Sequence, residues 1–348
     1  MARPDLTIMG AGIFGLSIAW ASAQRGAKVR VIEQRAIGAG SSGGPVGSLS
    51  PHVPEAWNAK KAFQLDSLLI AQEWWAGVTS TSGLPTGYGR SGRLQPLFDT
   101  RAVTIAQSRE TEAQILWRGQ AVWQVVPTRG VVWEPHSPSG FLVQDTLTAR
   151  LNPVQALAAL AAAITAKGGE IIIGNDIPDG PTLWANGAEG LADLSAHFAQ
   201  PIGSAVKGQA LLLQHDARTM PQLFVDGLHI VPHADGTVAI GSTSETKWDD
   251  PQSTDAQLDA LHQKAILACP ALADAPVIAR WAGLRPRAKS RAPMLGAWPD
   301  RPGHFIANGG FKIGFGMAPK VAEVMADLVL DGKDTIPPEF LVAASLKP

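Results

Sequence analysis

Two short apolar runs open the chain, Leu6-Thr7-Ile8-Met9 and Val29-Arg30-Val31-Ile32, with the alanine-rich stretch Leu16–Gln24 between them. Short apolar runs bounded by glycine predict buried strands, and the longer stretch closed by Gly26 predicts a helix. Val122–Val126, Gly130–Trp133, Ala210–Leu213, His229–Val231 and Thr237–Gly241 predict further short strands separated by turn residues. Asp255–Cys269 and Pro319–Leu330 predict helices, the first closed by Pro270 and the second by Gly332. No internal repeat is visible.

Composition narrows the class. The 348 residues suit one large or two medium domains. Lys and Arg number 29 against 30 Asp and Glu, a net charge of −1, so no long-range field attracts nucleic acid or an acidic membrane. Hydrophobic residues at 45% and charged residues at 17% are the reverse of a disordered chain and require a large core. With Cys269 as the one cysteine, an internal disulfide and a cysteine-based metal site are both excluded. Met1–Arg30 lacks a secretory signal, and Ala156–Ala166 is too short to span a bilayer. A cytoplasmic protein without membrane insertion is expected.

The strand Leu6–Met9 runs into Gly10-Ala11-Gly12-Ile13-Phe14-Gly15, and the strand after the helix ends in Glu33. This order of strand, GxGxxG, helix, strand and acidic residue predicts a dinucleotide site. Gly10 permits the tight turn, Gly12 lets the backbone approach a pyrophosphate, and Gly15 lets the helix pack on the strand. The helix N-terminus offers N–H groups and a positive dipole end to phosphate. Glu33, followed by Gln34 and Arg35, is placed to accept hydrogen bonds from ribose hydroxyls. Shortly afterwards Gly38–Ser48 packs five glycines and three serines into eleven residues. Such a stretch leaves backbone N–H groups bare for an anion and points to a longer, extended cofactor; a flexible surface loop has the same composition.

These residues resemble the FAD-dependent D-amino-acid oxidase (DAO) superfamily. The likeness rests on Gly10–Gly15, Glu33 and Gly40-Ser41-Ser42 with Gly47-Ser48-Leu49. It continues through Asn152–Leu157, Leu183–Ala188, Val206-Lys207-Gly208-Gln209, His229–Glu245, Ala282–Pro286 and Gly309–Pro319. The branch most resembled is that of glycine oxidase and D-amino-acid dehydrogenase. The resemblance implies a doubly wound, Rossmann-like α/β domain for FAD, from about residues 1–75, 146–203 and 276–345. An interleaved α+β substrate domain with an antiparallel sheet would take about 76–145 and 204–275. The loop Gly174–Thr182 is shorter than the hairpin the family carries there.

The resemblance also implies roles. Non-covalent FAD would lie on Gly10, Gly12, Ile13, Phe14, Gly15, Glu33, Gln34, Arg35, Gly40, Ser41, Ser42, Gly47, Ser48, Leu49 and Gly187. The C-terminal turn Gly310, Phe311, Lys312, Ile313 and Gly314 would complete the site. Relatives that tether flavin carry a cysteine soon after the arginine motif, whereas Arg287–Met294 has none. Arg285 would grip a substrate carboxylate with two parallel hydrogen bonds. Lys312 would face either the flavin or the substrate, or be a solvated loop lysine. His229 stands where amino-acid oxidases often carry tyrosine, and Tyr88 is the chain's one tyrosine. His52 ranks below it as a pocket residue. The activity implied is oxidation of the C–N bond of a small amino acid or amine: a D-amino acid, glycine or an N-substituted glycine. Two alternatives are oxidation of a larger modified substrate, as in tRNA-modification enzymes, and a flavin-binding protein without turnover.

Overall fold

The computed structural model describes residues 3–346. Leu6–Met9 and Val29–Glu33 are adjacent parallel strands, in register from Leu6 opposite Val29 to Met9 opposite Ile32. They lie in a six-stranded sheet ordered Met294–Ala297, His304–Asn308, Thr182–Trp184, Leu6–Met9, Val29–Glu33, Glu170–Ile173. Every pair is parallel except the edge strand Met294–Ala297 on His304–Asn308.

A parallel sheet has to be covered on both faces, and the strand His304–Asn308 shows how. Ala307 packs in the cluster of Ile13–Gln24 and Gly314–Asp331, while its neighbour Ile306 packs in a second cluster with Leu191 and Leu194 of Gly187–His197. Helix Ile13–Gln24 is buried at every residue but Gln24. Its small alanine and serine side chains let Pro153–Ala166 and Gly314–Asp331 pack closely against it.

The second sheet has eight strands, ordered Val277–Ala288, Gly203–Gln214, Thr237–Gly241, Leu228–Pro232, Gln222–Val225, Arg93–Pro96, Phe141–Asp145, Trp123–Pro127. It is antiparallel throughout save for Gln222–Val225 against Arg93–Pro96. The long edge strand Val277–Ala288 belongs to this sheet, although the sequence division groups residues 276–345 with the first unit. No helix among the described residues is long and apolar enough to cross a membrane.

Three local expectations need revision. Gly130–Trp133 is not a strand. Gly130 takes φ +70° and, with Arg129, donates its N–H to the Glu134 carboxylate, which closes a turn instead. The helix expected from Pro319 begins earlier, at Gly314, and carries Pro319 inside it, where the proline leaves the Phe315 carbonyl without its i−4 partner. The longest helix, Ala59–Ser82, has no counterpart among the predicted elements, although Asn58 caps it by accepting the Lys61 N–H and Gly83 ends it at φ +71°.

A Cβ on Gly15 would sit 2.0 Å from the Gly10 carbonyl oxygen, a backbone atom that cannot move alone. Gly15→Ala is therefore expected to lower stability by about 1–3 kcal/mol through overpacking. Denaturant unfolding checks this, and an unchanged midpoint would contradict the close helix–strand contact.

Candidate functional site

The glycine turn is built from backbone contacts. Gly10 takes φ +107°, and a Cβ there would lie 2.7 Å from the Ala185 oxygen. Its N–H donates to the Ile32 oxygen at 2.8 Å, tying the turn to the second strand. The Ala11 N–H donates to Glu33 Oε2 at 2.9 Å and the Arg35 N–H to Glu33 Oε1 at 3.1 Å. Those two bonds fix the carboxylate at the strand end. Ser42 Oγ accepts the Ile13 N–H at 3.0 Å, which brings the second glycine-rich loop onto the helix N-terminus.

That loop is pinned at several points. The Gly38 N–H donates to the Ala11 oxygen at 3.0 Å. Gly47 takes φ +60° with its Cα so close to the Leu151 oxygen that a Cβ would lie 1.8 Å away. Ser48–Leu49 pairs with Ala149–Arg150. From the other sheet, buried His233 bonds through Nε2 to the Pro45 oxygen at 2.8 Å, so Nε2 carries the proton.

One continuous cavity of about 730 Å³ joins the two sheets. It starts at Glu33, Gln34 and Arg35 and passes Gly10, Gly12, Ile13, Phe14, Gly40, Ser41, Ser42, Gly47, Ser48 and Gly187. It continues past Gly310, Phe311, Lys312 and Gly314 to Arg285 and His229. Three expected residues do not line it: Gly15, packed on Gly10; Leu49, buried in the core; and Ile313, packed against that core. His52 is absent too, its backbone N–H held by Gln64 Oε1 at 3.0 Å and its ring bonded to the same oxygen.

Other wall residues escaped the sequence reading. Asn186 and Asn308 follow or end strands of the parallel sheet, where ligands of such sheets sit. Asn308 Nδ2 donates to the Gly187 oxygen at 2.9 Å and its Oδ1 accepts the Gly309 N–H at 2.7 Å, holding the two turns together. Phe224 pairs with His229 across neighbouring strands, ring centres 4.6 Å apart. Ser242 and Trp281 complete the far end. Trp281 shares a strand face with Arg285 by period-two spacing, a signal present in the sequence.

The far end is cationic. Arg285 is buried, and burial lowers its guanidinium to about 10 despite the attraction of Glu245. Its two direct partners are neutral: Nη1 donates to the Thr243 oxygen at 3.1 Å and Nη2 to Ser242 Oγ at 2.6 Å. Lys312 lies in the same wall with its ammonium 5.7 Å from the Phe311 ring centre; burial first, and then the charge of Arg285, lower its pKa. His229 lies between strands with one edge toward the cavity, and its Nδ1 has no partner among the described residues. Burial above all, then the charges of Arg93 and Lys312, push the imidazole down to about 3. It is neutral at ordinary pH and adds no third positive charge.

The cradle fits a flavin dinucleotide. Bare backbone at Gly40 and Gly187 meets nothing within 4 Å of a notional Cβ, and Gly12 lines the same cavity beside Ser42. A doubly wound sheet with this turn, an acid fixed at its second strand, and a cavity running on to a second sheet defines a dinucleotide-binding protein. The chain belongs to the DAO family of FAD-dependent oxidoreductases, whose family model matches residues 5–328.

Its relatives include the bifunctional protein ThiO/ThiG of Nostoc sp. (strain PCC 7120 / SAG 25.82 / UTEX 2576), 29% identical over 94% of this chain and 53% of that protein. The glycine oxidase of Geobacillus kaustophilus (strain HTA426) is 25% identical over 94% of this chain and 93% of its own. The chain thus spans about half the length of the bifunctional relatives. In fold it matches the crystal structure of glycine oxidase from Geobacillus kaustophilus, with TM-score 0.83 and 21% identity over 98% of this chain and 99% of that one. Iminodiacetate oxidase from Chelativorans sp. BNC1 matches with TM-score 0.82 and 21% identity over 95% and 97%.

Gly12→Val should fold, since a Cβ there meets only Ser42 Oγ at 3.2 Å, but fill the space a pyrophosphate needs. The flavin-to-protein ratio of the purified variant is expected near zero, with its circular dichroism retained. His229 yields a pH prediction. Its folded pKa near 3 lies below the ordinary 6.5, so the unfolded chain binds the extra proton between those values. Its contribution to stability is complete above 6.5 and falls as pH drops toward 3, by up to about 1.4 kcal/mol per pH unit. His229→Phe should flatten that part of the stability-versus-pH curve; an unchanged slope would place the titration elsewhere.

Proposed function

We propose that this chain oxidises the C–N bond of a small amino acid, with glycine, an N-substituted glycine or a D-amino acid as the substrate class. The observation that carries this reading is Arg285: a buried guanidinium in the wall of the flavin cavity whose direct hydrogen bonds go only to uncharged oxygens. A buried cation without a carboxylate in contact favours an incoming anion. The relatives named glycine oxidase support the same class.

FAD, held non-covalently by the cradle of Gly10–Gly15, Glu33 and Gly40–Ser42, would supply a two-electron acceptor for a hydride from the substrate α-carbon. The protein's work is then binding and orientation. Arg285 takes the carboxylate through its planar fork and so fixes the angle of the α-carbon. Lys312 strengthens the local positive field, which favours both the carboxylate and negative charge building up on the acceptor. Neutral His229 stands in the wall without adding a charge that would repel the substrate amine. Phe224 and Trp281 supply apolar walls that keep water from the reacting carbon. Cys269 lies in the core of the second sheet and is no tether. The partner is a small molecule rather than a nucleic acid, on the balance of charge, and the cytoplasm is the location we propose.

Anaerobic flavin reduction by glycine, sarcosine and D-alanine tests this reading against the corresponding plain amines. Arg285→Lys keeps the charge and loses the fork, so the apparent substrate constant should rise sharply while flavin content stays normal. Arg285→Ala should cost on the order of 2–5 kcal/mol of binding. Equal reduction by all three proteins would move the anchor away from Arg285. Reduction by amines alone would remove the amino acid as substrate.

A further inference from the structure

We propose that Gly208 is a positioning residue: its bare backbone is the seat against which the Arg285 guanidinium packs, and the Lys207-Gly208-Gln209 strand sets the aim of that guanidinium. The proposal rests on the reading of Arg285 as the carboxylate anchor.

The geometry is direct. A Cβ on Gly208 would fall 1.6 Å from Arg285 Nη2, 2.1 Å from Cζ and 2.4 Å from Nη1. The fork therefore occupies the volume that any side chain at 208 would fill. Strand pairing explains the arrangement. Gly208 stands opposite Gly283 on the neighbouring strand, and Arg285 is two residues on from Gly283, hence on the same face. Trp281 is two residues back on that face, and its indole lies over Gly283, 2.5 Å from a notional Cβ. Two paired glycines thus make a floor that carries an indole and a guanidinium.

The floor is braced from the same strand. The Gln209 N–H donates to Thr243 Oγ1 at 2.8 Å, and that hydroxyl bonds to Glu245. Gln209 Nε2 donates to Glu245 Oε1 at 3.0 Å and to Asp255 Oδ1 at 2.9 Å. Lys207 Nζ lies 3.8 Å from Glu245 Oε2 and 3.9 Å from Asp255 Oδ2. This network holds the backbone of Thr243, whose oxygen accepts from Arg285 Nη1. Glu245 offsets the buried guanidinium from behind, through Thr243, and leaves the fork free of a carboxylate in contact.

The seat predicts a particular failure. In Gly208→Ala the strand can stay, because the atoms in the way are the far end of a flexible side chain, and the fork must swing off its line. A misplacement of about 1 Å can cost on the order of 100-fold in a positioned group's effect. The holoenzyme variants to compare are Gly208→Ala, Arg285→Ala and the double variant, with D-alanine and ethylamine, the same skeleton without the carboxylate, as reductants. Acetate binding, read as quenching of tryptophan fluorescence, gives a measure independent of turnover. Gly208→Ala should keep its flavin, weaken D-alanine and acetate by about 10–100-fold, and leave ethylamine unchanged. The double variant should be no weaker than Arg285→Ala, since both changes remove one interaction. Gly208→Ala with wild-type affinity for D-alanine and acetate, alongside a weakened Arg285→Ala, overturns the seat and leaves the anchor standing. If Arg285→Ala also binds both normally, the anchor itself has failed. Should Gly208→Ala not fold, Thr243→Val removes the brace and is expected to weaken acetate in the same direction; no change there overturns the proposal.

Discussion

Backbone approaching backbone more closely than any side chain allows is the constraint on which the molecule depends. At the first turn, Gly15 rides over the Gly10 oxygen and Gly10 against Ala185, so helix Ile13–Gln24, the first strand and the turn after Thr182–Trp184 meet at one point. Gly47 against Leu151 repeats the device where the flavin loop crosses the chain's return to the first sheet. The cofactor half of the cavity is consequently made of N–H groups and carbonyls, held by contacts that tolerate little change. That rigidity sets donors in advance and removes the need for charged side chains around a pyrophosphate.

The far half of the cavity, around Arg285, obeys different electrostatics. A buried cation is costly unless something nearby offsets it. Here Glu245 raises the basicity of Arg285 without touching it, while the direct acceptors are a hydroxyl and a carbonyl. Had a carboxylate bonded Arg285 directly, the site would be satisfied when empty and would hold a substrate weakly. His229 follows the same logic in reverse: burial beside Arg93 and Lys312 leaves it neutral, so the positive field comes from the two residues able to meet an anion.

How much of this was legible in the sequence depended on whether the cause was local. The turn at Gly10–Gly15, the acid at Glu33 and the loop at Gly38–Ser48 are short-range signals, and the structure gathers all three around one cavity. Leu49, next to that loop, and Ile313, in the C-terminal turn, pack into the core, which a motif cannot reveal. Gly130–Trp133 carries strand-like residues, yet the Glu134 carboxylate and a left-handed glycine turn it instead. Phe224 meets His229 only through a strand pairing, and Gly208 meets Arg285 only across an antiparallel ladder. Such long-range contacts leave no local trace. Trp281 is the intermediate case: its spacing from Arg285 put it on the right face, but only the packing against Gly44 and Gly283 shows that it spans from the second sheet to the flavin loop.

The two halves share packed core, with helix Gly187–His197 lying on Gly203–Gln214 and Val277–Ala288, and they also meet through a set of contacts near the flavin loop. His233 bonds the Pro45 oxygen, Arg150 reaches the Pro232 oxygen at 3.2 Å, Asn152 and Gln155 bond Asp235, and the Trp281 indole abuts Gly44. All of these run between the second sheet and the flavin loop or the segment that pins it. They fix where Arg285 stands relative to the cradle without contributing to the cradle's own donors. Displacing the loop at Gly44–Gly47 moves the cradle and, through Pro45 and Trp281, the substrate wall with it.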